Sequence, residues 1–298
     1  MSKRPPRAGP SRRRPPPRRR WLIPAVALGG LVLAAAAILL LTRDQPGAPS
    51  SWATLGTADV HALAFDPTDP QHLYFGHHNG LLESTDGGRT WQASSLSGAD
   101  AMNVPIVDGE RFQIAGHEVH LETIDGGASW QPVPNDLPGL DLHAFAVDPA
   151  DPDHAWAFAV GFGLYESTDA GRHWQQRQPG NWAALTAYRD DGTTVLLGIG
   201  PEGLVRSNDG GTTWTLLAYP GAPLAALAAS RDGSVLYAAT SAGLRRSSDG
   251  GATWSATGFT AQALAVAVAP GDPMDVVLVD EATRFFRSSD GGGSWPAP

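Results

Sequence analysis

The octapeptide STDGGRTW, residues 84–91, recurs five more times along the chain with small changes. The later copies are TIDGGASW at 123–130, STDAGRHW at 167–174, SNDGGTTW at 207–214, SSDGGATW at 247–254 and SSDGGGSW at 288–295. Their aspartates follow one another at intervals of 39, 44, 40, 40 and 41 residues. A period near 40 residues, with strand-like sequence between the copies, indicates an array of four-stranded blades.

The residue types of the octapeptide suit a tight turn between two strands. An aspartate carboxylate can accept hydrogen bonds from the backbone N–H groups that follow it, and the glycine pair supplies positive φ. The tryptophan then buries a large ring as the next strand begins. A turn that is repeated six times is expected to have a structural role in each repeat. We therefore assign structural rather than catalytic roles to Asp86, Asp125, Asp169, Asp209, Asp249 and Asp290 and to Trp91, Trp130, Trp174, Trp214, Trp254 and Trp295.

The strand-like segments predict an all-β, six-bladed β-propeller over residues 51–298. In the first blade, residues 59–67 alternate as an inner strand, residues 72–78 form the second strand, and an Asn-Gly hairpin leads to the third. The last blade lacks an outer strand after its octapeptide. Residues 51–57, SWATLGT, resemble the outer strands of other blades. We expect them to pair beside Phe285–Arg287 and close the ring, which removes exposed sheet edges.

The octapeptide resembles the Asp-box, or BNR repeat, of sialidases, sortilin-type receptors and photosystem II assembly propellers. The chain also resembles a bacterial family of membrane-anchored or secreted Asp-box proteins classed as glycosyl-hydrolase-like or exo-sialidase-like. The shared elements are H-x-L-A at 61–64, a histidine pair at 77–78, G-H at 116–117 and D-x-H-A at 141–144. The resemblance implies a propeller and a hydrolase label. It supplies no catalytic residues. It also does not decide between enzyme and binding protein, because this fold hosts both.

The N-terminal region predicts a membrane anchor. Residues 1–20 hold nine of the 21 basic residues and are rich in proline, so we expect a disordered basic tail on the cytoplasmic side. Residues 22–41 carry no charge and are long enough to span a bilayer. We predict a single transmembrane helix, an uncleaved signal anchor, at residues 21–42 and a linker at 43–50. This topology places the propeller outside the cytoplasmic membrane.

Composition narrows the chemistry of the predicted propeller. The chain contains no cysteine, so disulfides, thiolate ligands and cysteine nucleophiles are excluded. Residues 44–298 hold 11 basic and 30 acidic residues, a formal charge of −19. So acidic a domain is a poor partner for nucleic acid.

The nine histidines lie only in the first three predicted blades. Because the strands of a blade alternate in direction, the start of the first strand and the end of the second lie on one face of the ring. His61 and His143 occupy the first position, and His78 and His117 the second. This face gives the candidate ligand-binding residues His61, His77, His78, His117, His143, Asp59, Asp141 and Glu118.

Three interpretations of this histidine-rich face stay open. His61, His78, His117 and His143 could hold a divalent transition metal, because imidazole and carboxylate suit such ions. The same groups could hydrogen-bond a glycan or protein ligand. They could also be polar residues lining a wet channel mouth. No cofactor is certain from the sequence.

Enzymatic activity is the alternative to a binding or scaffold function. A classical sialidase needs three converging arginines and a tyrosine nucleophile beside a glutamate. The strand and turn positions assigned from the repeats bring neither set to the channel face, so the sequence disfavours a classical sialidase. Another type of glycosyl hydrolase (EC 3.2.1) needs a carboxylate pair across the channel. Asp59, Asp100, Asp141 and Glu118 could supply that pair. The sequence favours a binding module over such a hydrolase.

Overall fold

The structure is a computed structural model that describes residues 49–298. These residues form six antiparallel sheets around a central channel, which confirms the all-β, six-bladed propeller. The predicted tail and transmembrane anchor, residues 1–20 and 21–42, lie outside the described residues. Within residues 49–298, no helix is long and apolar enough to cross a bilayer.

The first three blades contain the strands that carry the histidines. Blade 1 consists of β2 (Ala62–Phe65), β3 (Leu73–His77), β4 (Gly80–Ser84) and β5 (Gln92–Ser97). Blade 2 consists of β6 (Phe112–Gly116), β7 (Val119–Thr123) and β8 (Gln131–Pro132). Blade 3 consists of β9 (Leu142–Asp148), β10 (Asp151–Ala159), β11 (Gly163–Ser167) and β12 (Gln175–Gln178).

The other three blades repeat the four-stranded plan. Blade 4 consists of β13 (Ala184–Asp190), β14 (Thr193–Gly200), β15 (Gly203–Ser207) and β16 (Thr215–Leu216). Blade 5 consists of β17 (Leu224–Ala229), β18 (Leu236–Thr240), β19 (Gly243–Ser247) and β20 (Ser255–Ala256). Blade 6 consists of β21 (Ala263–Ala269), β22 (Asp272–Asp280), β23 (Arg284–Ser288) and, on its outer edge, β1 (Ala53–Thr54).

The strand β1 supplies the outer edge of blade 6 from the opposite end of the described chain. Ala53 lies opposite Phe285, and Thr54 lies opposite Arg284. The strand therefore pairs at Phe285, within the predicted partner segment 285–287, and extends one residue beyond it to Arg284. The ring of Trp52 also packs against Phe285 at 6.4 Å and donates its Nε1–H to the Pro296 carbonyl at 2.8 Å.

In every copy of the octapeptide, the aspartate Oδ1 accepts the N–H four residues later, and the first Ser or Thr hydroxyl accepts the N–H of the glycine four residues after it. In the first copy, Asp86 Oδ1 accepts the N–H groups of Arg89 and Thr90 at 3.0 and 2.9 Å, and Ser84 Oγ accepts the N–H of Gly88 at 2.9 Å. Hydrogen bonds from the Thr90 hydroxyl and N–H lower the pKa of Asp86 to about 2. Trp91 donates its Nε1–H to the Gly88 carbonyl, which ties the ring to the turn it follows.

Blade 2 departs from the plan at its inner strand. A single bridge between Asn103 and Ala115 stands in the place of that strand. The Asn103 amide also donates to the Leu142 carbonyl at 3.1 Å, and its oxygen accepts the Phe145 N–H at 3.1 Å. This side chain therefore connects the short inner segment of blade 2 to β9 of blade 3.

Apolar side chains pack between neighbouring blades, and smaller residues line the channel. Leu63 and Phe65 of blade 1 share a core with Ala265 and Val277 of blade 6, so the ring is closed. The channel has a volume of about 430 Å³ and is lined largely by alanine and other apolar residues of the inner strands. His61 and His143 reach its lining from one mouth.

His120 gives the propeller a stability that depends on pH. The residue is 3% exposed, packs against Phe145 at 5.5 Å and contacts Gln113 Oε1 through Nε2 at 3.1 Å. Burial, followed by the Arg172 charge, lowers its pKa to about 4. The unfolded chain therefore takes up this proton between pH 6.5 and 4 while the native state does not, and stability falls as pH falls.

We expect His120→Gln to reduce this pH dependence. From pH 7 to pH 5, the wild-type free energy of unfolding should fall by about 2 kcal/mol more than that of the variant. Urea unfolding at both pH values measures the difference. Equal pH dependence in the two proteins would contradict the neutral, buried state of His120.

Candidate functional site

The candidate site lies where the inner strands begin, at one mouth of the channel. Asp59 and His61 directly precede β2, and Asp141 precedes β9, which contains His143. His78 and His117 directly follow β3 and β6. We call the contiguous set Asp59, His61, His78, Asp100, His117, Asp141 and His143 the histidine ridge.

Asp59, His61 and His78 form the blade 1 end of the histidine ridge. Asp59 Oδ2 lies 2.7 Å from His78 Nδ1 and 3.2 Å from His61 Nε2. The His61 and His78 rings meet at 4.4 Å, with His61 Nε2 and His78 Nδ1 3.2 Å apart. Asp59 Oδ2 also accepts the backbone N–H of His78 at 2.7 Å. The Asp59 carboxylate therefore connects the segment that precedes β2 to the turn that follows β3.

His117, Asp141 and His143 form the other end of the ridge. His117 Nε2 lies 2.9 Å from His143 Nε2, and Asp141 Oδ1 lies 3.1 Å from His143 Nε2 and 3.5 Å from His117 Nε2. A backbone bridge between His117 and Asp141 holds blades 2 and 3 together here. Two imidazole nitrogens this close require either a proton on one of them or a cation between them.

Asp100 connects the two ends and comes from the segment between blades 1 and 2. Its Oδ1 lies 3.2 Å from His61 Nε2, and its Oδ2 lies 2.6 Å from His117 Nδ1. Two glycines let this segment approach the strands. A Cβ on Gly116 would lie 1.9 Å from the Asp100 carbonyl, and a Cβ on Gly76 would lie 2.2 Å from the Ala101 carbonyl. The glycine of the G-H element therefore makes room for Asp100.

Burial and charge set the protonation states at the blade 1 end. Burial lowers the pKa of His61, and it outweighs the opposing charge of Asp100. Burial acts to raise the pKa of Asp59, but hydrogen bonds from the His78 backbone and imidazole outweigh it, so this pKa is lowered. A neutral imidazole beside an ionised carboxylate is the state in which both groups ligate metal ions.

Two carboxylate oxygens of the ridge face imidazoles without being hydrogen-bonded to them. Asp100 Oδ1 and Asp141 Oδ1 are buried and have no hydrogen-bond partner among the described residues. Their contacts with His61 and His143 lie within ion-pair distance but are not aligned as hydrogen bonds. Each oxygen is thus a buried acceptor without a donor, close to an imidazole nitrogen, and the two atoms together suit a bound cation.

His77 and Glu118 lie apart from the ridge, although the sequence placed them on this face. Successive residues of a strand point to opposite sides, so His77 stacks on Phe75 at 6.1 Å while His78 joins the ridge. Glu118 is exposed, with φ of 56°, in the turn after His117. Asp100 is the one member of the histidine ridge that comparing equivalent positions of the repeats does not identify. The sequence indicated it only as a possible hydrolase carboxylate.

The arginines of the described residues are engaged away from the ridge. No arginine within residues 49–298 forms an ion pair with Asp59, Asp100 or Asp141; these carboxylates contact histidines. Arginines instead pair with other acids, as Arg172 does with Glu122 and Arg287 with Asp275. The arginine clamp of a classical sialidase does not form on the ridge.

The repeats and the fold agree with comparisons to known proteins. Residues 48–178, which include the whole ridge, match the family model of the photosynthesis system II assembly factor YCF48. The chain is an Asp-box β-propeller. A comparison with curated proteins finds no match.

Solved structures share the architecture of this Asp-box propeller. A YCF48 bound to a D1 peptide is 24% identical, with 85% of this chain and 84% of that chain covered and a TM-score of 0.52. YCF48 from Cyanidioschyzon merolae is 19% identical, with 84% and 88% covered and a TM-score of 0.53. The GH74 enzyme of Niastella koreensis is 16% identical, with 79% and 46% covered and a TM-score of 0.55, so the Asp-box propeller spans less than half of that enzyme. These similarities concern the fold alone.

Proposed function

We propose that this Asp-box propeller is a binding module whose histidine ridge holds a divalent transition-metal ion. One observation carries the proposal. Within a single ridge, two pairs of imidazole nitrogens lie 3.2 and 2.9 Å apart, beside buried carboxylate oxygens that have no hydrogen-bond partner among the described residues. Imidazole and carboxylate without thiolate suit ions such as Zn²⁺ or Cu²⁺.

The proposed location is outside the cytoplasmic membrane, on a single-span anchor. The uncharged residues 22–41 and the basic residues 1–20 support it, because positive charge is retained on the cytoplasmic side. Imidazole nitrogens facing solvent at a channel mouth would there be accessible to metal ions and to a partner.

A protein or glycan ligand would approach the metal from the blade 3 side of the ridge. Leu140, Val160 and Phe162 are exposed apolar residues near this end: Leu140 precedes Asp141, the Val160 N–H donates to the Asp141 carbonyl at 2.9 Å, and Phe162 lies beside Gly139. Such side chains beside open metal positions favour a partner with both polar and apolar groups. The D1 peptide bound to one YCF48 neighbour is a precedent for a protein partner.

The arrangement of the carboxylates favours binding over glycoside hydrolysis, the alternative that the GH74 neighbours keep open. A hydrolase pair needs roughly 5–9.5 Å between its carboxyl groups, with room for the sugar. Here the His61 imidazole stands between Asp59 and Asp100, 3.2 Å from each. The His117 ring stands between Asp100 and Asp141. Neither neighbouring pair has a gap for substrate.

We expect the purified full-length chain, loaded with Zn²⁺ and desalted, to retain metal in mass-spectrometric analysis. His61→Ala/His143→Ala should lose at least about 90% of it, because direct ligands matter more than outer partners, whose loss already costs 10- to 100-fold in affinity. His72→Ala/His173→Ala removes two histidines outside the ridge and should keep the wild-type content. A metal-free wild type, or equal loss in both variants, would contradict the proposal.

A further inference from the structure

We infer that the histidine ridge holds two metal ions in two separate centres, an inference that rests on the metal-binding function proposed above. The first centre consists of Asp59 Oδ2, His61 Nε2 and His78 Nδ1. The second consists of His117 Nε2, Asp141 Oδ1 and His143 Nε2. In each centre the three ligand atoms lie within 4.8 Å of one another. The two sets share no residue.

Both centres follow one plan, which argues that each is a complete site. Each takes an Asp-x-His element from the start of an inner strand, at 59–61 in blade 1 and 141–143 in blade 3. The first centre adds His78, which follows β3 of blade 1. The second centre adds His117, which follows β6 of blade 2. Two histidines and one carboxylate form a recurrent transition-metal triad that leaves positions open for other ligands.

The middle of the ridge acts as a link between the centres. His78 Nε2 and His117 Nδ1 are the ring nitrogens that the two centres leave free, and they lie 3.9 and 2.6 Å from Asp100 Oδ2. A protonated Nδ1 on His117 donates to Asp100 and directs its Nε2 to the second centre. This is the carboxylate–histidine–metal arrangement that orients ligands in metalloproteins.

Asp100 also distinguishes the two centres. Its other oxygen, Oδ1, lies 3.2 Å from His61 Nε2, a ligand nitrogen of the first centre, whereas Asp100 reaches the second centre only through His117 Nδ1, which is not a ligand there. The side chain of His61 is 14% exposed, and that of His143 is 37% exposed. The first centre is therefore the more enclosed at His61 and Asp59, although its His78 is exposed. The second is the more open, so its ion exchanges faster and accepts an external ligand.

Zinc titration of the chelator-stripped full-length chain tests this inference by stoichiometry. We expect two ions in the wild type, one in His61→Ala, one in His143→Ala and none in the double variant. His77→Ala removes the histidine next to the ridge and should keep two. Asp100→Asn should keep two ions with affinity reduced about 10- to 100-fold, since Asp100 mainly orients other ligands. Circular dichroism confirms that each variant is folded.

The other outcomes separate this inference from the proposed function. The wild type could bind one ion that is kept in His61→Ala and in His143→Ala but lost in Asp100→Asn. That result would place a single ion among His78, Asp100 and His117. It would overturn the two centres but not the proposed metal-binding function. A wild type that binds a single ion, with that ion lost in His61→Ala and also in His143→Ala, would likewise overturn the two centres, because one shared site would then require both ends of the ridge. A wild type without bound zinc would overturn the inference and the proposed metal-binding function together.

Discussion

Stripping the metal from the wild-type chain should lower its melting temperature by about 8–16 °C relative to the zinc-saturated protein. A ligand that binds only the native state at a thousandfold excess over its dissociation constant stabilises it by about 4 kcal/mol. In a protein of this size, about 2–4 °C of melting temperature corresponds to 1 kcal/mol. Zinc should bind only the native state, because the ligands of the ridge come from three blades and are brought together only by folding.

Scanning calorimetry with excess Zn²⁺ and with excess chelator measures this effect. His61→Ala/His143→Ala is the matched control, and its melting temperature should not respond to zinc. An equal zinc response in both proteins would mean that the metal acts elsewhere on the chain. An unchanged wild-type melting temperature would contradict a metal held across blades 1 to 3.

The second large effect is expected for Gly88→Ala in the first Asp-box. Gly88 has φ of +97°, and a Cβ there would lie 2.1 Å from Phe285 Cε1. Phe285 is fully buried and packs against Trp91 at 5.3 Å, so its ring has little room to move. The contact also lies near the join between β1 and β23, where the ring closes.

Gly127→Ala is the matched variant, because Gly127 occupies the same position of the second Asp-box. Its φ is +86°, but the nearest atom to a Cβ there is Phe112 Cζ, at an ordinary 3.6 Å. Both substitutions carry backbone strain, of about 1–3 kcal/mol. Only Gly88→Ala adds an overpacking cost of about 1–3 kcal/mol.

Urea unfolding should therefore show Gly88→Ala to be less stable than Gly127→Ala by about 1–3 kcal/mol. The comparison removes the backbone contribution, which the two sites share. Equal losses would show that Phe285 yields, and that the seam between blades 6 and 1 is more loosely packed than its contacts indicate.

Much of the fold was predictable because the Asp-box is a local structure. Its turn depends on hydrogen bonds within a few residues, such as those to Asp86, so the repeats can be counted from sequence. The register of β1 was not predictable in the same way. It is a pairing between segments far apart in the sequence, where the Trp52 ring contacts Phe285 and Pro296.

The candidate site was predictable where it follows the repeat. His61 and His143 share one blade position, and His78 and His117 share another, so counting brings them to one face. Asp100 has no equivalent in the other blades, because it lies in the segment between blades 1 and 2. Its position depends on close backbone approaches at Gly76 and Gly116, which arise only in the folded protein.

Anomalous X-ray scattering at the zinc absorption edge, from crystals of the zinc-loaded protein, tests the metal-binding ridge most directly. The proposed function predicts an anomalous peak on the ridge, at about 2.0–2.1 Å from imidazole nitrogens of at least one histidine pair. The candidate pairs are His61 with His78 and His117 with His143. Zinc-loaded crystals with no peak on the ridge, or with peaks only at other residues, would contradict it.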